Sequence, residues 1–248
     1  MWYALAPQIP QQTISTLKQC IVDIFKDENP KYSLPIKDQP ASQIFGKNWK
    51  YSKYIIENLL ESCIMLAVYN NKQLEMDIMV RSILSEIKNK EHIFTIADYF
   101  VLFAELSPNE FLTYCEQQIK SHNDVFYSLF ENSQAPAFFS GGHEYCNLLF
   151  ALELLLSLND YKFRACDVLI KLYLQNFSYN ISNSPYDTLE KNLHWLNNHN
   201  ALSFEDKKRL IIKYINLYGE KFYQLPINLI SKNTIFFSGV GTRCRIPD

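Results

Sequence analysis

The sequence predicts an all-α fold, built as an irregular stack of antiparallel helical hairpins of the α-solenoid or helical-repeat kind. Apolar residues recur at spacings of three and four along most of the 248 residues, and the alternation typical of strands is scarce. Paired helical segments recur at intervals of roughly 35 to 50 residues, without the fixed-position signatures of tetratricopeptide or ankyrin repeats. With 48% hydrophobic residues and only 6 glycines, the composition is that of a folded chain.

The first 46 residues are predicted to form one helix and a connector rich in proline. The helix covers about residues 13–26. Its apolar stripe consists of Ile14, Leu17, Ile21, Ile24 and Phe25. Prolines between residues 30 and 40 then break the helical pattern. We therefore divide the chain into residues 1–46 and a helical-hairpin array at residues 47–248.

The array begins with a hairpin of helices at about residues 48–69 and 73–88, joined by the turn Asn70-Asn71. The second helix is expected to direct five apolar side chains inward: Leu74, Ile78, Ile83, Leu84 and Ile87. The same periodicity predicts further helices at about residues 93–106, 108–120, 124–130, 144–158, 161–176, 187–196 and 204–218. Beyond residue 233 we expect an extended tail.

Short polar patterns mark where some of these helices start and stop. The segment Ser107-Pro108-Asn109-Glu110 is typical of a capping box with proline at the first helical position. Ser203 is placed to cap the last of the predicted helices, and Gly219 to end it in a left-handed residue. The clearest break lies at residues 132–142, where a proline and two glycines predict a loop and we expect a hinge.

The overall charge disfavours one class of partner. The chain has 24 Lys and Arg residues against 26 Asp and Glu, a formal net charge of −2. Proteins that bind the phosphate backbone of nucleic acids usually carry a dense basic surface instead. We therefore expect no nucleic-acid partner.

Cysteine usage and hydropathy predict a cytoplasmic protein with no membrane partner. The six cysteines are Cys20, Cys63, Cys115, Cys146, Cys166 and Cys244. They form no C-x-x-C pair, and five lie in predicted helices, so we expect reduced thiols that pack as small apolar side chains. The start of the chain lacks the basic region of a signal peptide. The strongest apolar stretch, residues 148–158, is about half of the ~20 residues that span a bilayer.

Several motifs come close to a chemical site without completing one. His143-Glu144 resembles the start of the zincin helix H-E-x-x-H, but Asn147 stands at the position of the second zinc-binding histidine. Glu205-Asp206-Lys207 matches the E-x-K pattern of magnesium-dependent nucleases, yet a helix start with acidic capping residues explains it more simply. The glycine-dense segments at residues 140–142 and 238–242 do not have the spacing of a phosphate-binding motif. We therefore predict no catalytic residues, no metal ligands and no cofactor.

Aromatic side chains are the most abundant candidates for a protein-binding surface. The chain has 16 tyrosines and 17 phenylalanines. Protein interfaces are enriched in Tyr, Trp and Arg and depleted in Lys and Glu. The predicted protein-binding surface comprises Tyr179, Tyr186, Trp195, Tyr214, Tyr218, Phe222 and Tyr223, together with Arg243 and Arg245.

From about residue 51 onward, the order of several motifs resembles an α-helical region near the C-terminus of large bacterial P-loop NTPases of the STAND type. Tyr51-Ser52, followed by Leu-Leu-Glu-Ser at residues 59–62, resembles that family's Y-S...L-x-E-T helix. Residues 103–112, which read Phe-Ala-Glu-Leu-Ser-Pro and then Phe111-Leu112, resemble its L-A-E-x-x-P-x-x-F-L helix pair.

The resemblance continues in the second half of the chain. Residues 148–153 are similar to the family's L-L-W-A-L-E, with Phe150 in place of the tryptophan. Residues 182–185, with Leu189 and Trp195 after them, are similar to S-N-R-P...L...W, with serine in place of the arginine. Residues 242–245 are loosely similar to a closing T-x-x-P-R-W-R that has lost its proline and tryptophan.

The resemblance implies a non-enzymatic part of a larger machine. NTPases of this type act in antiviral defence, where an N-terminal effector and a central ATPase are controlled by a C-terminal helical sensor that recognises a foreign protein. The sequence contains no effector or ATPase motif.

The leading hypothesis is therefore a helical recognition or scaffolding module that binds a protein, either a phage protein or the remaining domains of a larger NTPase. Two alternatives stay open. The first is an enzyme whose site is assembled at residues 141–146 from His143, Glu144 and Cys146. The second is a purely structural oligomerisation domain.

Overall fold

The computed structural model describes residues 6–131, 144–175 and 183–231. The regular elements within these ranges are α-helices and short 3-10 helices, with no strand, which confirms the predicted all-α fold. The described α-helices are α1 (Gln11–Ile24), α2 (Lys53–Tyr69), α3 (Gln73–Ser85), α4 (Lys90–Ala97), α5 (Phe100–Leu106), α6 (Pro108–Lys120), α7 (Asp124–Glu131), α8 (Glu144–Leu156), α9 (Lys162–Leu174), α10 (Pro185–Leu193), α11 (Phe204–Tyr218) and α12 (Gln224–Ser231). The predicted hinge at 132–142 and the predicted tail lie outside the described residues.

Helix α1 packs on α2 and α3 through the stripe that its spacing predicts. Ile14, Ile21 and Ile24 are buried, and Phe25 lies edge-on to Tyr99 with ring centroids 5.3 Å apart. The start of the chain therefore shares one hydrophobic core with the array.

The proline-rich connector also packs on the array, where it contacts α4. It forms two 3-10 helices, Pro30–Ser33 and Ile36–Ala41. Tyr32 is buried, and its ring centroid lies 5.5 Å from that of Phe94. The Lys31 ammonium forms an ion pair of 3.1 Å with Asp98.

The single helix predicted over residues 93–106 is divided into α4 and α5 by a turn at Asp98-Tyr99. The turn is held by tertiary contacts that local sequence does not reveal. The Asp98 carboxylate accepts hydrogen bonds from the Tyr32 hydroxyl at 3.0 Å and from Lys31. The Tyr99 ring is buried. The turn directs α5 into the centre of the molecule.

Each middle helix packs against the third helix after it in sequence. The packed pairs are α2 with α5, α3 with α6, α4 with α7, α5 with α8 and α6 with α9. Helices α2, α5 and α8 begin at residues 53, 100 and 144, so their starts lie 47 and 44 residues apart. The predicted interval of 35 to 50 residues was for pairs of helices, whereas each of these intervals contains three helices. The most buried helices are α5 and α8, which pack against each other at the centre of the core.

The face that α3 buries agrees with the predicted one at Ile83 and Leu84 and differs from it at the start of the helix. Leu74 and Ile78 were expected in the core but are 72% and 55% exposed. The buried side chains of α3 are Met76, Met79, Val80, Ile83 and Leu84. Because α3 carries two apolar stripes, only the packing on α6 and α2 decides which one is covered.

Local capping rules succeed at α11 and fail at α6. Ser203 and Asp206 form the reciprocal hydrogen bonds of a capping box, as predicted for Ser203. Ser107 makes no capping hydrogen bond, because its hydroxyl donates to the Asp77 carboxylate at 2.5 Å. Glu110, the other half of the predicted box, is instead bound by Arg81.

Gly219 ends α11, which confirms the predicted helix stop, but its φ of +56° and ψ of −133° lie outside the left-handed helical region that was predicted for it. This combination belongs almost only to glycine. We expect Gly219→Ala to lower the free energy of unfolding by about 1–3 kcal/mol, as measured by urea denaturation. Gly219→Asn should cost a similar amount, because asparagine tolerates positive φ in the left-handed helical region but not at this ψ. A loss no larger than that of the exposed neighbour variant Glu220→Ala would contradict the prediction.

The expectation that the cysteines pack as core side chains holds for three of them. Cys63, Cys115 and Cys166 are buried, whereas Cys20 is exposed and Cys146 half-buried. Burial raises the pKa of the Cys63 and Cys166 thiols to about 12, so both stay protonated. Cys244 lies outside the described residues.

Candidate protein-binding surface

The predicted binding residues divide into buried, half-buried and exposed side chains. Tyr179, Arg243 and Arg245 lie outside the described residues. The other six belong to the last three helices and their connections.

Tyr214 and Phe222 are 2% and 0% exposed, so their assignment to a binding surface was wrong. The Phe222 ring lies 5.7 Å from the Tyr214 ring and 6.3 Å from that of Tyr173. Half-buried Tyr218 stacks on Tyr214 at 6.0 Å. These rings join α9 to α11 and to the 3-10 helix Gly219–Phe222. Their function is to hold the C-terminal helices together.

The half-buried Tyr186 connects α10 to α12. Its hydroxyl donates to the Glu190 carboxylate at 2.9 Å and accepts a short hydrogen bond from the Asn228 amide. Burial raises the pKa of Tyr186 to about 12, which keeps the hydroxyl protonated. Tyr186 thus positions α12 and presents little surface of its own.

Trp195 is 38% exposed and stacks on the buried His194 ring, with centroids 4.7 Å apart. It lies in the loop between α10 and α11. Two further apolar side chains are exposed nearby: Leu196 in the same loop at 57%, and Phe204, the first residue of α11, at 61%.

The loop that carries Trp195 is held by a buried lysine, Lys207, for which the sequence analysis predicted no role beyond its place at a helix start. Lys207 is 3% exposed, and its ammonium donates to the carbonyl oxygens of His194, at 3.1 Å, and Asn197. Burial lowers the pKa of Lys207. The Asn200 amide adds a hydrogen bond of 2.9 Å to the carbonyl of Asn192. The loop is therefore a fixed platform for Trp195.

Three apolar side chains are exposed around α12: Tyr223, directly before its first residue, and Ile227 and Ile230 within it. We call them the α12 stripe. They are 44%, 57% and 73% exposed, and their spacing of four and three places them along one side of a helix. The opposite side of α12 packs inward through Leu225 and Leu229. Sequence reasoning found Tyr223 but missed the two isoleucines, because it searched for aromatic residues.

The alternative site at residues 141–146 is described only from Glu144 onward. Glu144 is half-buried at the start of α8, and burial raises the pKa of its carboxyl group. The Tyr32 hydroxyl donates to the Asp98 carboxylate at 3.0 Å, and both Tyr32 and Asp98 influence the pKa of Glu144. These contacts connect α8 to the connector and the turn after α4. Cys146 follows on α8 and is half-buried.

Two general properties of the described residues bear on the class of site. In the part of the chain that the structure describes, no three His, Cys, Asp or Glu side chains are grouped so that they could hold a metal ion. Nor does any described helix have both the length and the apolar character needed to cross a membrane.

Comparison of the chain with family models, with curated proteins and with solved structures finds no match.

Proposed function

We propose that this chain is a non-enzymatic helical recognition or scaffolding module that binds another protein through the α12 stripe. The observation that carries the proposal is the double apolar character of α12, which buries Leu225 and Leu229 and exposes Ile227 and Ile230. A single exposed apolar residue is common on any protein. Three on one helix face form a surface that an apolar groove or a second amphipathic helix can cover.

The rigid setting of α12 supports this role. Tyr186 holds the helix against α10, and Phe222 anchors its start in the core. A preorganised helix loses little conformational entropy when it binds, so more of the contact energy appears as affinity.

The motif order that resembles the C-terminal region of STAND-type NTPases supports a sensor or scaffold in antiviral defence. On this proposal the protein acts in the cytoplasm, and its partner is a phage protein or the remaining domains of a larger NTPase. Any catalytic step would then belong to those other domains.

The test compares the wild-type chain with the double variant Ile227→Asp/Ile230→Asp as baits in lysates of phage-infected bacteria. We expect one protein to be captured by the wild-type chain and to bind the variant at least about tenfold more weakly in calorimetry with purified components. Loss of two apolar contacts from a binding surface accounts for an effect of this size.

The control is Leu74→Asp/Ile78→Asp, which places the same charges on the exposed apolar face of α3. It should bind as the wild type does. The proposal fails if no protein is captured, or if the α12 variant captures the same protein with unchanged affinity. Thermal unfolding midpoints equal to that of the wild type would show that both variants keep the fold.

A further inference from the structure

An open cavity with an apolar floor lies where the C-terminal ends of α6, α9 and α11 meet. Its volume is about 440 Å³, which is within the range of ligand pockets in proteins. The floor consists of Ile119, which is buried, and of Leu174 and Tyr218, which are half-buried. The three residues of the α12 stripe do not line it. The cavity is therefore separate from the proposed protein-binding surface.

The rim of this cavity carries more positive than negative charge. Lys120 and Lys171 line it from the last turns of α6 and α9, and neither forms an ion pair within the described ranges. Glu116 also lines the cavity, but its carboxylate is neutralised by Arg164 through two hydrogen bonds of 2.9 Å. Each of the three helix ends adds at most about half a negative charge. The two lysines outweigh these partial charges, so the cavity favours an anion.

His122 lines the same cavity at a backbone position where glycine is usual. It follows α6 with φ of +49°, and its amide donates to the Ile119 carbonyl at 3.3 Å. A left-handed residue after a helix is most often glycine, because any other side chain costs energy there. The His122 ring lies 6.5 Å from that of Tyr127, near the outer limit of an aromatic contact, so packing gives little reason for an imidazole.

The helix ends explain the two lysines one at a time but leave two features unexplained. A lysine in the last turn stabilises its own helix. That effect requires neither an imidazole at the left-handed position after α6 nor an apolar floor left open between the lysines. An imidazole ring can donate an N–H to an anion whether it is neutral or charged. A ligand with both an apolar body and a negative group would cover the floor and bind all three side chains.

We propose that this cavity binds a small organic anion with an apolar body, of the class of a medium-chain carboxylate. The carboxylate accepts hydrogen bonds from Lys120, Lys171 and His122, and the hydrocarbon chain covers the apolar floor. A neutral ligand would leave the charges of the lysines unused, and an inorganic anion would leave the floor open to water. The inference goes beyond protein recognition, because it gives the chain a small-molecule ligand.

The test measures the binding of octanoate, octanol and inorganic phosphate to the whole chain by isothermal titration calorimetry. Octanol has the same hydrocarbon chain as octanoate without the charge, and phosphate has the charge without the chain. We expect octanoate to bind at least about tenfold more tightly than either of the other two.

Three variants locate the binding site. Lys120→Gln and Lys171→Gln each remove one positive charge and should each weaken octanoate binding about three- to tenfold. His122→Gly should weaken it by a similar factor without lowering the midpoint of thermal unfolding, because glycine fits the left-handed backbone. The control is Lys208→Gln, which removes an exposed charge outside the cavity and should leave the affinity unchanged.

The proposal is overturned if octanoate does not bind, if octanol binds as tightly, or if the three variants bind octanoate as the wild type does. Binding to vesicles of phosphatidylglycerol without binding to octanoate would also overturn it, because the ligand would then be a membrane surface. The protein-capture test of the α12 stripe uses other residues, so the two proposals can fail separately.

Discussion

Phe222→Ala is expected to lower the free energy of unfolding by about 3–5 kcal/mol, the range for truncating a buried phenylalanine. The ring is 0% exposed and contacts Tyr214 and Tyr173, so its removal leaves a cavity where α9, α11 and α12 meet. Urea denaturation followed by circular dichroism would measure the loss.

The matched control for Phe222→Ala is Tyr223→Ala at the next position. Tyr223 is 44% exposed and should lose less than about 1 kcal/mol. Its effect should appear in binding, because it belongs to the α12 stripe. If the two variants lost equal stability, the assignment of Phe222 to the core and of Tyr223 to the surface would be wrong.

Lys207→Met is the second large effect, with an expected loss of about 3 kcal/mol. Methionine fills a similar volume but donates no hydrogen bond, so the buried carbonyl of Asn197 loses the Lys207 ammonium as its donor. Hydrogen bonds to charged groups contribute roughly 1.5–3 kcal/mol, and a buried unpaired acceptor costs about 1–3 kcal/mol more. Relief from burying an ammonium offsets part of the sum. The midpoint of thermal unfolding should fall by roughly 6–12 °C.

The control is Lys208→Met, which makes the same chemical change at an exposed neighbour and should stay within about 0.5 kcal/mol of the wild type.

The alkaline pH range offers a second measurement of the role of Lys207. Burial lowers the folded-state pKa of Lys207 below its ordinary value of 10.5. The wild type therefore gains stability from this group as the pH rises from the folded-state pKa to 10.5. Lys207→Met should lack this gain. Equal stability of the two methionine variants would show that the ammonium does not hold the loop.

What the sequence predicted correctly depends on interactions between near neighbours. The stripe of α1, the capping box at Ser203 and the stop at Gly219 all follow from residues within one or two helical turns. The same local rules failed at Ser107, because Asp77 on another helix binds its hydroxyl. The predicted burial of Leu74 and Ile78 was wrong for a related reason, since local periodicity cannot choose between two apolar stripes on one helix.

The candidate surface was predicted only in part, because aromatic character does not distinguish core from interface. A signal for the core was present within single helices: Leu210 and Tyr214 lie four residues apart on α11, and Leu225 and Leu229 lie four residues apart on α12. That spacing assigns these side chains to the inner face of each helix. Lys207 gave no such signal. Its burial depends on loop carbonyls 10 and 13 residues away.

The packing of each middle helix on the third one after it limits how the chain can be divided. Helix α5 has packing partners on both sides in sequence, α2 before it and α8 after it. The shortest continuous segment that contains all three is residues 53–156. Any fragment cut inside that segment would expose the central apolar faces to water and invite aggregation. An autonomous fragment of this protein would therefore have to be trimmed from its ends.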